Sequence, residues 1–233
     1  MELARDFVSQ GVGVAAATPH VREDYPTTAE EMRTRVQVLR AELAAHSIPL
    51  HLLPGGEISL DFMQRLTVEE LRDFGLAGNT SYLLLEFPYM SWPLALTERA
   101  LGLLEQGVTP VLAHPERNPD VQAAPDRLQE FVEAGVLVQV TAASLAGRFG
   151  RMTKASALRL LDLGLVHLVS SDAHGPGQRL EAMTRVEKAV SDRALARWLT
   201  VGVPSAIVKD ERLPPRPQPG QVRRWRRLLR RGR

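Results

Sequence analysis

The chain of 233 residues carries 29 Lys and Arg against 27 Asp and Glu, a net charge of +2, with 44% hydrophobic residues and no cysteine. That is enough apolar content for one sizeable core in a single α/β domain, and the lack of cysteine excludes disulfides and any thiolate nucleophile. No run of 18 apolar residues suggests a membrane span, and the opening MELARDFVSQG lacks the basic-then-apolar order of a signal peptide, so a cytoplasmic protein is expected.

In chain order, the pattern predicts a helix over Glu2–Gln10 stopped by Gly11, then a small apolar strand Val12–Ala17 running into Thr18, Pro19 and His20. Val21–Pro26 reads as a loop. Thr27 and Thr28 followed by Glu30 and Glu31 read as a capping box opening a helix to about His46. Ile48–Leu53 is the second strand, continued through Pro54-Gly55-Gly56 to Glu57, where glycine lets the backbone approach a neighbour closely. Two short helical pieces, Leu60–Arg65 and Val68–Phe74, precede the third strand, Tyr82–Phe87. Its apolar run is broken only by Glu86, a buried carboxylate that needs a cation or a strong donor.

A helix over Leu94–Gln106 leads to strand Thr109–Ala113 and the sequence His114-Pro115-Glu116-Arg117. A helix Asp126–Ala134, a strand Val136–Val140 ending in Thr141, and a helix Thr153–Leu163 follow. Leu165–Val169 is the last apolar strand and delivers Ser170, Ser171, Asp172 and His174. Asp172 and His174 are two apart, so in extended chain they point the same way. Helices over Gln178–Val190 and Asp192–Val201 complete the body. Six strands alternating with helices predict an α/β fold around a parallel sheet.

In such a fold the strand ends gather at one mouth. His20, Glu57, Glu86, His114, Asp172 and His174 all lie at strand ends, a nitrogen and carboxylate set that suits Zn²⁺, Mn²⁺ or Fe²⁺. Carboxylates able to bridge two metals suit hydrolysis of phosphate esters. Arg117 and Arg179, each a few residues beyond a strand-end histidine, could clamp a phosphate. The competing reading of each is a solvated surface arginine: the residues alone favour it for Arg179 and leave the choice open for Arg117. His46, His51 and His167 have no assigned role.

ATPH (17–20), GGEIS (55–59), LLEFP (84–88), GVTPVLAHPER (107–117), VQVTAAS (138–144) and LVSSDAHG (168–175), in this order, resemble the PHP (polymerase and histidinol phosphatase) family. The nearest likeness is to its branch of capsule and exopolysaccharide tyrosine-protein phosphatases, and it covers the chain to about Lys209. The resemblance implies a distorted TIM-like (βα)7 barrel over residues 1–209. It implies two to three divalent metals, manganese foremost, with iron or zinc as alternatives, held by His20, Glu57, Glu86, His114, Asp172 and His174. It implies phosphate contacts by Arg117 and Arg179, metal-bound hydroxide as nucleophile, and a phosphotyrosine substrate on a membrane-associated tyrosine kinase. Family members open with a strand ending in His-x-His, which this chain does not supply. The expectation is therefore a barrel lacking its first strand, and a Met1 that is not the true start. Two alternatives remain: a small-molecule phosphatase of the same family, such as one acting on histidinol phosphate, and a catalytically impaired barrel serving as a regulatory binding module.

Residues 210–233 read as a Pro-rich linker and a basic tail. The last eleven residues hold seven arginines and no acid, and taking these seven from +2 leaves the rest of the chain at −5. Val222, Trp225 and Leu228-Leu229 among the arginines suit a short amphipathic helix on an anionic membrane surface, with a solvated basic end as the plainer reading. The tail also allows docking on an acidic partner or non-specific nucleic-acid binding, though a nucleic-acid partner is not the expected one.

Overall fold

The computed structural model describes residues 1–176 and 183–217. Its centre is a parallel sheet. The strands are β1 (Val14–Ala17), β2 (His20–Arg22), β3 (Tyr25–Pro26), β4 (His51–Pro54), β5 (Glu57–Ser59), β6 (Tyr82–Glu86), β7 (Thr109–Ala113), β8 (Leu137–Thr141) and β9 (Leu168–Ser170). One sheet runs in the order β3-β2-β5-β6-β7-β8-β9, parallel throughout except for the β2–β3 hairpin, and β1 pairs with β4 in a separate parallel two-stranded sheet. β1 and β2 are successive pieces of one path broken at Thr18-Pro19, and β4 and β5 are pieces of another broken at Gly55-Gly56. The expected loop Val21–Pro26 is thus a hairpin. Pro26 hid it, because proline is tolerated in a strand only at an edge, and β3 is an edge.

Among the described residues no pairing joins β9 to the other end of the sheet. The sheet nonetheless curls. His20 on β2 and His174, four residues past β9, bring their rings to 6.0 Å. The α/β class with a parallel sheet is as the sequence predicts.

β6, β7 and β8 are buried on both faces, which explains their unbroken apolar character. The main core is built on Ile58, Leu83, Leu85, Leu112, Val138 and Val140, with Phe87 and Phe131 among its largest fully buried side chains. Helix Glu2–Ser9 belongs to a smaller cluster. Its Phe7 and Val8 pack with Ala15 and Leu52 of β1 and β4, and with buried Leu43, Ile48 and Leu50. Helix Ala29–Ala45 opens on the predicted capping box, with Thr28 and Glu31 each bonding the other's backbone N–H. A helix at Pro119–Ala123 and another at Ala142–Leu145 were not predicted. Both are too short to show a hydrophobic period.

The Pro-rich segment differs from a free linker as far as Pro217. Trp198 donates its indole N–H to the Pro214 carbonyl at 2.8 Å. The Arg216 guanidinium lies 5.3 Å from the Trp198 ring and donates to the carbonyls of Gly164 (3.1 Å) and Val166 (2.6 Å). These carbonyls lie just past the end of helix Arg151–Asp162, where a cation and its donors are favoured. The basic tail, Arg223–Arg233, lies outside the described residues.

His167 sits under this strap, its ring 6.2 Å from Trp198 and its Nδ1 accepting the Val138 N–H. Burial, helped by Arg216, pushes its pKa down to about 4. The folded state therefore resists a proton that the unfolded chain takes up near the ordinary value of 6.5. This contribution to stability is full above pH 6.5 and falls between there and pH 4, by about 3 kcal/mol. His167→Asn keeps an acceptor for Val138 but cannot titrate. Urea midpoints across pH 7 to 4 should fall less steeply in the variant; parallel curves would remove His167 as the cause.

Candidate metal and phosphate site

The site is built at strand ends, and local backbone explains how each side chain gets there. Gly56 precedes Glu57 because there is no room for more: a Cβ would meet the Phe74 ring at 2.9 Å and Val21 at 3.1 Å. His114 and Asp172 follow their strands in the left-handed region, with φ of 40° and 49°. Few non-glycine residues adopt that conformation, and it is often found where side chains must be re-aimed at a functional site.

Glu57 is the hub. It is 5% exposed, its Oε1 accepts from His114 Nε2 at 3.0 Å, and its Oε2 lies 3.2 Å from His20 Nδ1. Burial works to raise the Glu57 pKa, but the bonds to His114 and His20 outweigh it and hold it at about 2. The contact with Glu57 likewise outweighs burial at His20 and raises that imidazole's pKa. Glu86, also 5% exposed, lies 3.7 Å from His20 Nδ1 and takes an ion pair from Arg22 at 3.4 Å, supplying the cation that a carboxylate in an apolar strand requires. Arg22 also grips Asp24 across the β2–β3 turn.

On the other side, Arg117 donates to Asp172 Oδ2 at 2.6 Å, to Thr141 Oγ1 at 2.8 Å and to the Tyr89 hydroxyl at 3.3 Å, and it lies 4.3 Å over the Phe149 ring. Burial works against the guanidinium's charge, but Asp172 beside it raises the pKa further. Behind Arg117, Glu116 is fully buried and accepts from Ser144 Oγ at 2.6 Å and from the Thr141 N–H at 3.0 Å, tying the His114–Arg117 turn to the end of β8. Tyr89 stacks on His114 with ring centres 5.3 Å apart and planes 12° from parallel.

Five of the predicted ligand residues are thus linked in pairs around His20: Glu57, Glu86 and His174 directly, and His114 through Glu57. Asp172 joins through His174, whose Nδ1 lies 3.1 Å from the Asp172 carbonyl. Arg179 lies outside the described residues. Sequence reasoning missed Arg22, Tyr89, Glu116 and Thr141. Glu116 was visible inside the His114–Arg117 motif, whereas nothing in the order of residues marks Tyr89.

As placed, the carboxylates are turned on to histidines and arginines, and among the described residues no three His, Asp or Glu side chains enclose one metal-sized point. The chemistry of the donors still fits a divalent metal. With Nε2 of a neutral His114 donating to Glu57, its Nδ1 carries a free lone pair, and that atom is buried without a hydrogen-bond partner. Arg117 Nε is likewise buried without a hydrogen bond. Unsatisfied polar atoms at this depth are costly, and a cation or an anion would satisfy them.

The family described as Capsular polysaccharide synthesis, CpsB/CapC, matches residues 1–201. The chain belongs to this family. Tyrosine-protein phosphatase YwqE of Bacillus subtilis is 38% identical over 177 residues, covering 75% of this chain and 68% of YwqE. Tyrosine-protein phosphatase CpsB of Streptococcus pneumoniae is 26% identical over 220 residues, covering 90% of this chain and 89% of CpsB. A solved structure from work on those same two proteins, described there as metal-dependent tyrosine phosphatases, superposes with a TM-score of 0.81 at 33% identity. It covers 94% of this chain and 90% of the other. The CpsB/CapC assignment agrees with the branch that the six sequence motifs resemble.

Proposed function

We propose that the chain is a metal-dependent protein-tyrosine phosphatase. The observation that carries the reading is the buried Glu57, held between His20 and His114, in a chain whose relatives bear that activity in their names. His20, Glu57, Glu86, His114, Asp172 and His174 would hold the metals, with manganese the first candidate. Bound there, divalent metals activate water and neutralise the charge that develops on phosphate. The chain's own residues do the rest. Glu57 keeps the two histidine rings oriented. Arg117, carried on a turn braced by Glu116, offers its guanidinium to phosphate oxygens, for which Asp172 is the competing partner. Phe149 beneath it keeps one face of that guanidinium dry.

The substrate is a phosphotyrosine protein, and the family's place in capsule synthesis favours a tyrosine kinase of that process. The relatives do not favour histidinol phosphate or a non-catalytic role. We read the curled sheet as a TIM-like barrel with a seam between β2 and β9, a reading supported by the approach of His20 to His174. No described helix is long and apolar enough to cross a membrane. A cytoplasmic location, with the arginine tail against an anionic membrane surface, is part of the proposal.

The test pairs elemental analysis with hydrolysis of p-nitrophenyl phosphate. The purified chain should carry divalent metal, turn over the ester with added Mn²⁺, lose turnover to a chelator and regain it on repletion. Metal-loaded protein without turnover would overturn the enzymatic reading.

A further inference from the structure

Tyr89 stands beside both His114 and Arg117, on a loop held from two sides. Asn118 donates both amide hydrogens across the loop, to the carbonyls of Pro88 (2.8 Å) and Ser91 (2.9 Å). Trp92 anchors the far side against Phe87 and Phe131, with Arg127 stacked 3.9 Å over its ring. The Tyr89 ring is then fixed in plane by His114 on one face and by the N–H that its hydroxyl accepts from Arg117. Tyr89 remains 46% exposed. With the His114 side covered, that exposure belongs to the opposite face and the outer edge.

We propose that this outer face of Tyr89 is the platform on which the aromatic ring of an aryl phosphate stacks, so that Tyr89 sets the preference for aryl over alkyl esters. The inference rests on the phosphatase reading and on Arg117 as the phosphate contact. In an aryl ester the ring is attached directly to the ester oxygen. A phosphate at the Arg117 guanidinium therefore carries its ring within a few bond lengths of the group that the Tyr89 hydroxyl touches. A seryl ester offers only a methylene there, with nothing to stack. Offset stacking of two rings strengthens association roughly 3- to 10-fold.

Binding separates this role from support of the site. Dissociation constants for phenylphosphonate and methylphosphonate, an aryl and an alkyl ligand of the same charge, are measured by calorimetry on the manganese-loaded chain. The original chain should favour phenylphosphonate roughly 3- to 10-fold. Tyr89→Ala should weaken phenylphosphonate alone and erase the preference, while Tyr89→Phe, which keeps the ring and loses the hydroxyl, should retain it. Equal weakening of both ligands in Tyr89→Ala would make Tyr89 only a support for His114 and Arg117, and overturn the proposal. So would a preference that survives the alanine. Failure of the phosphatase reading shows separately, as ligand binding without turnover of p-nitrophenyl phosphate.

Discussion

Replacing Glu57 with glutamine is expected to lower kcat/KM on p-nitrophenyl phosphate at least about 100-fold, because partners one step removed from a metal already cost 10- to 100-fold. The shape of the side chain hardly changes, so the loss reads its charge and its two acceptors. One oxygen of Glu57 takes the N–H of His114, and the other faces His20. Glutamine keeps one acceptor and turns an NH₂ towards the remaining histidine, which must rotate or change tautomer. It also removes the one carboxylate that sits between both rings. Metal content should fall together with activity while the melting transition persists. A variant that keeps its metal and works within about threefold of the original would take Glu57 out of the ligand set.

Arg117→Lys is expected to lose roughly 100- to 1000-fold in kcat/KM, the range seen when one donor to a developing oxyanion is removed. Lysine keeps the charge but not the planar fork. Arg117 uses that fork on Thr141, Asp172 and Tyr89 at once, and stacks its flat face on Phe149. An ammonium cannot reproduce these angles together. If Arg117 acts on the transition state, the loss falls on kcat; if it only collects substrate, it falls on KM. Full activity in Arg117→Lys would leave the arginine a structural partner of Asp172.

Much of this was legible in the residues. The strands β6, β7 and β8 announce themselves as apolar runs because burial on both faces leaves no polar alternation, and their ends could be read off at Glu86, His114 and Thr141. The capping box at Thr28 and Glu31 marks its helix directly. The glycine before Glu57 was read as a close approach, and Phe74 is what approaches. What could not be read is side-chain partnership across distant segments. Nothing in the order of residues says that Arg22 turns towards Glu86, that Asp172 pairs with Arg117, or that Tyr89 lies on His114. The strap formed by Trp198 and Arg216 was missed for a similar reason. Proline-rich composition reports a stiff, extended backbone, and only the receiving surface decides whether such a segment docks.

The meeting of His20 and His174 also bears on how the molecule comes into being. The two rings lie 6.0 Å apart yet stand 154 positions apart in the sequence (174 less 20), so their contact is a strongly non-local one. Local hairpins and strand–helix units close short loops, whereas the contact of these two histidines carries the entropy cost of a very long one and is expected late in folding. A ribosome-bound or proteolytically shortened chain that stops before β9 has the Glu57 hub without its far wall. Assembly of the reactive mouth is in this way a report that synthesis has reached the last strand.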